Sequence, residues 1–197
     1  MYTFHNIIAQ ISKEDYIANF QDVDKFIGFC KQCRKYNTSW ACPPYSFNLS
    51  SYMSAYNTVY IIGTKIVPDN EIRLQCIDEE MSKKAGFKII VETRSLLDKH
   101  LLALESKYPG SKAFYAGFCT LCTQECTRIF GEPCRYPTKI RHSLESFGFD
   151  IGKTASQLLH IDLKWSNDGR LPEYFTLVSG FFTNYTIEKN MEELFDF

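Results

Sequence analysis

The sequence predicts an α+β fold: a small mixed or antiparallel sheet flanked by helices, with two cysteine-rich metal-binding loops. Three observations lead there. β-branched and aromatic runs at 2–11, 58–67, 113–118 and 173–182 read as strands, and 79–107 carries the apolar spacing of a long helix. These elements follow one another without a regular strand–helix–strand repeat, which argues against a parallel, doubly wound sheet. Seven of the eight cysteines lie in two short segments punctuated by Gly and Pro, which read as irregular loops. At 197 residues the chain fits a single domain, 1–197, able to bury a core without disulfides. Its 16 Phe, 12 Tyr and 2 Trp exclude a disordered chain.

In chain order, residues 2–11 alternate loosely as a first strand. Ser12, followed by Glu14 and Asp15, marks a helix start with acids in its first turn, and this helix runs to about Phe20. The first cysteine segment, 28–45, is rich in Gly, Pro and Asn and reads as loop. Asn48 or Ser50 caps a short helix over 50–56. Thr58–Val67 is a buried strand closed by Pro68-Asp69-Asn70. In 79–107, Ala85, Ile89, Leu96, Leu97, Leu101 and Leu104 recur near helical spacing; Gly86 is a point of interruption and Pro109-Gly110 the stop. Ala113–Phe118 delivers the chain into Cys119. Short helices follow at 143–147 and 153–160, a strand at 173–182, and a last helix over 184–197.

The start of the chain has no basic segment and no long apolar run, so no signal peptide is expected. No stretch of 18 apolar residues appears, so no membrane span is expected either. The expected compartment is the reducing cytoplasm, where clustered cysteines favour metal or redox chemistry over disulfides. Net charge is −1, but residues 25–45 carry +4 and residues 119–142 carry +2, leaving −7 elsewhere. Basic charge therefore accompanies the cysteines. It either offsets an anionic metal centre or is a solvated loop charge.

The second cluster reads Cys119-x2-Cys122-x3-Cys126-x7-Cys134, four thiols within 16 residues. Thiolate sulfur is soft and selects iron–sulfur clusters or zinc. Structural zinc sites usually take two CxxC knuckles separated by a dozen or more residues, whereas a short wrapping loop suits a compact [4Fe-4S] cluster. Zinc is the alternative, and a redox dithiol a third reading. Gly131, Pro133 and Pro137 keep the segment from becoming helical. Tyr115, Phe118, Phe130 and Tyr136 either exclude water from the centre or are ordinary core.

The first cluster, Cys30-x2-Cys33-x8-Cys42-Pro43-Pro44, supplies three candidate ligands. Cys76 could fold over as a fourth, although its neighbours Ile72, Leu74 and Ile77 read as packed core. His5, His100, His142 and His160 are remote and lack ligand spacing. The third answer is an open iron, ligated by water or substrate and able to act as a Lewis acid. Lys31, Arg34 and Lys35 would favour a small anionic ligand there. A thioredoxin-like CxxC is not supported, because the strand before it and the long helix after it are missing. Lys31–Lys35 with Tyr36 and Trp40 has the look of a nucleic-acid surface, but the cations are few and nucleic acid is not the expected partner. No GxGxxG, P-loop, HExxH or GxSxG motif occurs. Glu145, after Arg141-His142-Ser143, is either functional or part of a helix cap.

The chain resembles a family of predicted metal-binding proteins of unknown function, common in anaerobic bacteria and archaea. The resemblance rests on Cys42-Pro43-Pro44-Tyr45, on Cys119-Thr120-Leu121-Cys122 through Cys126, on Pro133-Cys134-Arg135-Tyr136-Pro137, and on Ser143-Leu144-Glu145-Ser146-Phe147-Gly148-Phe149-Asp150. It spans roughly residues 26–160 and implies metal binding by the matched cysteines. One departure is Phe26-Ile27-Gly28-Phe29, where relatives lead into the first pair with a strand ending in a basic residue. The expected function is a cytoplasmic iron–sulfur protein with one or two [4Fe-4S] clusters and an electron-transfer or redox role. A redox partner protein would go with that role, and the first cluster would hold the open iron. The alternative is a zinc-stabilised structural or interaction module.

Overall fold

A computed structural model describes residues 1–166 and 168–187. Four strands form one antiparallel sheet in the order β1-β2-β4-β3. They are β1 (Tyr2–Ser12), β2 (Thr58–Pro68), β3 (Lys112–Phe114) and β4 (Phe175–Thr183). The described residues form six α-helices: α1 (Lys13–Phe20), α2 (Val23–Lys31), α3 (Leu49–Met53), α4 (Asn70–Gln75), α5 (Glu79–Lys107) and α6 (Ile151–Leu158). Two 3-10 turns, Thr127–Phe130 and Glu145–Phe147, complete the regular structure. The α+β expectation holds, and the sheet is purely antiparallel.

The period-two alternation of the strands sends odd and even residues to opposite faces. Val59, Ile61, Val178 and Phe182 join Tyr16, Phe114, Phe147 and Phe149 under α1, α3 and α6. Tyr60, Ile62, Leu177 and Phe181 meet Ile89, Leu97, Leu101 and Leu104 of α5 on the other face. Both faces of the two central strands are thus covered, which is why β2 reads as a continuous apolar run. No helix of the described residues is long and apolar enough to cross a membrane.

Caps set the helix starts. Ser12 accepts from Asp15 N at 3.0 Å, and Asn48, rather than Ser50, accepts from Ser51 N at 2.9 Å. Asp22, Asp69, Asp78 and Asp150 do the same for α2, α4, α5 and α6. The Asp22 cap corrects the expected loop at 28–45: α2 runs through Phe26–Phe29, and Cys30 sits in its last turn. Helix α4 is likewise an addition to the sequence reading. Strand β3 stops at Phe114 because Tyr115 N donates to His142 O at 2.9 Å instead of continuing the ladder. Where a helix over 143–147 is expected, the chain makes only the 3-10 turn Glu145–Phe147, and α6 starts two residues before the expected 153. Most of the expected C-terminal helix falls on 188–197, outside the described residues.

Gly86 does not interrupt α5: a Cβ there would lie 2.9 Å from Phe175 Cζ, so the glycine lets the helix approach the start of β4. Gly63 plays the corresponding part on β2, where a Cβ would lie 2.6 Å from Leu159 Cδ1 and 2.9 Å from Ile161 Cδ1. On β-propensity alone Gly63→Val would strengthen the strand. Overpacking predicts the opposite, a loss of about 1–3 kcal/mol. It should appear as a lower urea midpoint at unchanged slope, and a midpoint that rises would contradict this packing.

Candidate metal centre

The first cysteine loop is a string of tight turns. Cys33 N donates to Cys30 O at 3.0 Å, Tyr36 N to Cys33 O at 3.0 Å and Cys42 N to Ser39 O at 3.0 Å, while Asn37 N closes the loop on Pro43 O at 2.8 Å. These turns bring Cys30, Cys33 and Cys42 onto one cavity of about 200 Å³. Gly117 and Phe118, the residues that lead into the second loop, form another wall, and Glu145 a third.

The second loop leaves β3 through Gly117, whose φ of 68° turns the chain. The 3-10 turn Thr127–Phe130 follows Cys126 and ends at Gly131, φ 69°. Arg135 Nη1 donates to Glu125 O at 2.8 Å and draws the Cys134 end back beside Cys126. Cys119 feels the charges of Cys122, Cys134 and Cys126, so these thiols share one neighbourhood.

Three thiols accept a backbone N–H from two residues further on. Lys35 N donates to Cys33 Sγ at 3.4 Å, Tyr136 N to Cys134 Sγ at 3.4 Å, and Leu121 N to Cys119 Sγ. At Cys119 the Leu121 N–H favours the thiolate, the form that binds metal. Burial works the other way. It pushes Cys42 up to about 11, with Cys33 and Cys30 adding and Ser39 and Arg128 opposing. Burial also raises Cys30 and Cys119. Among the described residues no three His, Cys, Asp or Glu side chains converge tightly enough to grip an ion as they stand. All seven thiols are at least partly exposed, so they can rotate inward on binding. The donor set, soft and in two compact groups, fits a thiolate-held metal group.

Arg128 joins the two loops. Its Nη1 donates to Ser39 O at 2.8 Å and to Cys42 O, and its Nη2 donates to Pro44 O and, at 3.2 Å, to Asn37 Oδ1. The guanidinium also lies 5.2 Å from the Trp40 ring centroid, and Trp40 Nε1 donates to Glu132 O at 3.0 Å. Tyr45 Oη donates to Ala41 O at 2.8 Å, and His142 Nδ1 approaches the same carbonyl at 3.1 Å. Most basic residues of the second loop are therefore engaged as donors to the fold. Arg141 forms a bidentate pair with Glu105 of α5 and caps Thr138 O and Ile140 O. In the first loop Lys31 and Arg34 are exposed, while Lys35 lines the cavity with its Nζ 5.6 Å from the Phe118 ring.

The other candidates separate clearly. Cys76 is buried at the end of α4 and lines a different cavity, with Met1, Ile72 and Met81. His142 packs among Tyr45, Phe47, Tyr52 and Phe147. Tyr115 is core on the α5 side, and Phe118 faces the first loop's cavity. Phe130 is 61 % exposed and excludes no water.

One polar residue escaped sequence reading, and one that it had raised finds its place. Arg94, an apparent surface residue of α5, is 3 % exposed and donates from Nη1 to Phe118 O at 2.7 Å, with Asp98 Oδ2 3.5 Å from Nη2. Its signal is its place on the apolar side of the helix, beside Leu97 and Leu101. The residue already raised is Glu145, read as functional or as part of a helix cap. Ser143 meets Ser146 N at 3.4 Å as a loose cap, but Glu145 takes no part as its capping-box partner. Its Oε2 is closed off from solvent without a hydrogen-bond partner. Burial pushes this carboxyl up, against its own N–H, the Ser143 hydroxyl and the Arg94 charge.

Two outcomes follow for mutants of this frame. Arg128→Ala should orphan the Cys42 and Pro44 carbonyls, at about 1–3 kcal/mol each where they stay buried, while Ser39 O keeps the Cys42 N–H. Although Arg128 belongs to the second loop, metal should be lost from the first group, measured as metal per chain; loss confined to the second group would refute the clamp. Burial also pushes Asp98 up to about 7, against the pull of Arg94. A carboxyl raised in the fold favours folding below the unfolded value of about 4, and that contribution is lost as pH rises to about 7. Asp98→Asn should flatten this fall, read as urea midpoints across that range, while lowering stability overall by depriving Arg94 of its partner.

A family model described as "Predicted metal-binding protein (DUF2284)" matches residues 16–179. This span runs from α1 into β4 and contains every cysteine. No curated protein and no solved structure matches the chain. With most of its length matched, the chain belongs to the DUF2284 family of predicted metal-binding proteins.

Proposed function

We propose that this protein is an iron–sulfur protein of the [4Fe-4S] type with an electron-transfer or redox role. Cys119, Cys122, Cys126 and Cys134 hold one cluster, and Cys30, Cys33 and Cys42 hold a second. One observation carries the reading: a four-thiol loop is stitched through Arg128 and Trp40 to a three-thiol loop. The two centres are then neighbours, because Phe118 walls the first cavity one residue before Cys119 opens the second loop. Adjacent clusters suit the passage of single electrons, the chemistry such a cofactor supplies when bound.

Iron is favoured over zinc on two grounds. The spacing of 2, 3 and 7 intervening residues wraps a compact object and does not form paired knuckles. The first three thiols stand around a cavity of about 200 Å³, room for an inorganic cluster rather than a single ion. Backbone N–H donors to Cys33, Cys119 and Cys134 would stabilise the more negative, reduced state and tune the potential. The first group has three thiolates, and Cys76 lies elsewhere, so its fourth position is open to water, a small anion or a harder protein donor. Phe29 and Phe130 are exposed beside the loops, an apolar rim for a redox partner protein. Free thiols in these numbers call for a reducing compartment such as the cytoplasm.

Anaerobically purified protein should be brown, with about four irons and four sulfides for each closed cluster, and reduction should generate an EPR signal. Cys122→Ala and Cys134→Ala should each remove the second centre and lower the thermal midpoint. A colourless protein with stoichiometric zinc would instead establish a zinc-stabilised module, and unchanged metal in both mutants would refute the ligand assignment.

A further inference from the structure

We propose that Glu145 is the fourth protein ligand of the Cys30/Cys33/Cys42 centre, so that this site is closed by three thiolates and one carboxylate. The inference rests on the metal-binding reading of the first loop and adds a residue to it. Glu145 lines the same cavity of about 200 Å³ as the three thiols. Its Oε2 is shut off from solvent and has no hydrogen-bond partner among the described residues. A buried carboxylate oxygen left without a donor is unfavourable, and more so when it is charged. Such an atom calls for a positive partner. Arg94 pulls on Glu145 through its charge alone: its Nη1 donates to Phe118 O, its Nη2 lies 3.5 Å from Asp98 Oδ2, and its Nε and Nη2 make no hydrogen bond, to Glu145 or to anything else among the described residues, while Lys35 also lines the cavity. A metal at the mouth of the three thiols would supply the missing charge.

The backbone holds the carboxylate and Cys30 in fixed relation. Asp22 N, at the start of α2, donates to Gly148 O at 2.8 Å, and Gln21 Nε2 donates to Phe147 O at 2.8 Å. Gln21 and Phe149 form an isolated bridge. Gly148, at φ 85°, admits this contact, because a Cβ there would lie 2.7 Å from Val23 Cα. The helix whose last turn carries Cys30 is thereby docked on the turn that carries Glu145. The carboxylate oxygen is a harder donor than sulfur, and both iron and zinc accept it. It would be the most exchangeable of the four ligands, the position a small anion could take.

The test compares Glu145→Gln with the native full-length protein, and Cys30→Ser serves to locate the first centre. Gln keeps the shape and removes the charge. Metal release to EDTA from the first centre should accelerate by at least about tenfold, the lower end of what even supporting residues of metal sites contribute. With metal removed, the same variant should melt at or above the native temperature, because its buried unpaired charge is gone. Glu145→Ala should regain metal retention on addition of acetate. A carboxylate that merely supports the turn would lower the melting temperature of the metal-free protein and leave acetate without effect, and that result would overturn the proposal. So would unchanged release and an unchanged EPR spectrum in Glu145→Gln. If Cys30→Ser leaves metal content unaltered, the first loop holds no centre, and both this inference and the reading beneath it fall; if only the Cys30 variant loses metal, this inference alone falls.

Discussion

The Arg128 guanidinium is the constraint on which the cysteine region depends. The first loop has almost no regular structure after α2, and its backbone carbonyls must find donors elsewhere. Arg128 satisfies those of Ser39, Cys42 and Pro44 at once, a task for which its planar, five-donor head suits it and a lysine would not. Because Arg128 sits between Cys126 and Cys134, the shape of one loop is set by a residue of the other. Trp40, bonded to Glu132 O, makes the dependence mutual.

The long helix α5 transmits this constraint to the sheet. Its apolar side lies on the even-numbered face of β2, and from the same helix come two buried polar anchors. Glu105 accepts from Ala113 N at 2.7 Å and pairs with Arg141, tying β3 and the exit of the second loop to one carboxylate. Arg94 holds Phe118 O at the entrance of that loop. The loop is thus fixed at both ends from one rigid element, while its interior keeps the partly exposed thiols free to close on a metal. A partly preorganised frame with adjustable ligands lowers the ordering entropy of binding without building the site in advance.

Much of the fold was legible in the sequence because periodicity and caps report burial directly. β1, β2, α1, α5 and β4 lie where alternation, Ser12 and the leucine spacing put them. The misses have local causes. Helix α2 was hidden by an apolar run and by a glycine, Gly28, although Asp22 was a readable cap. β3 is shorter than its sequence pattern because His142 O, distant in sequence, captures Tyr115 N. The two cysteine groups were visible as spacing. Their proximity was not, since it rests on Arg128 and Trp40 contacts across about ninety residues that no local signal carries.

The same reasoning explains why charged groups lie where an ordinary core would exclude them. Arg94 is buried and feels two half-buried carboxylates, Asp98 at 3.5 Å and Glu145 through its charge, one cation against two acids. Among themselves these three cannot reach neutrality with both acids ionised. Asp98 is the partner Arg94 approaches, which leaves Glu145 as the surplus acid, and Glu145 lines the cavity where Cys30, Cys33 and Cys42 gather. Three thiolates and a carboxylate would be an intolerable concentration of negative charge in a protein interior with nothing between them. The arrangement is consistent as the receptor of a positive partner, and burial, which pushes the Cys30 and Cys42 thiols up, opposes the build-up of negative charge there in its absence.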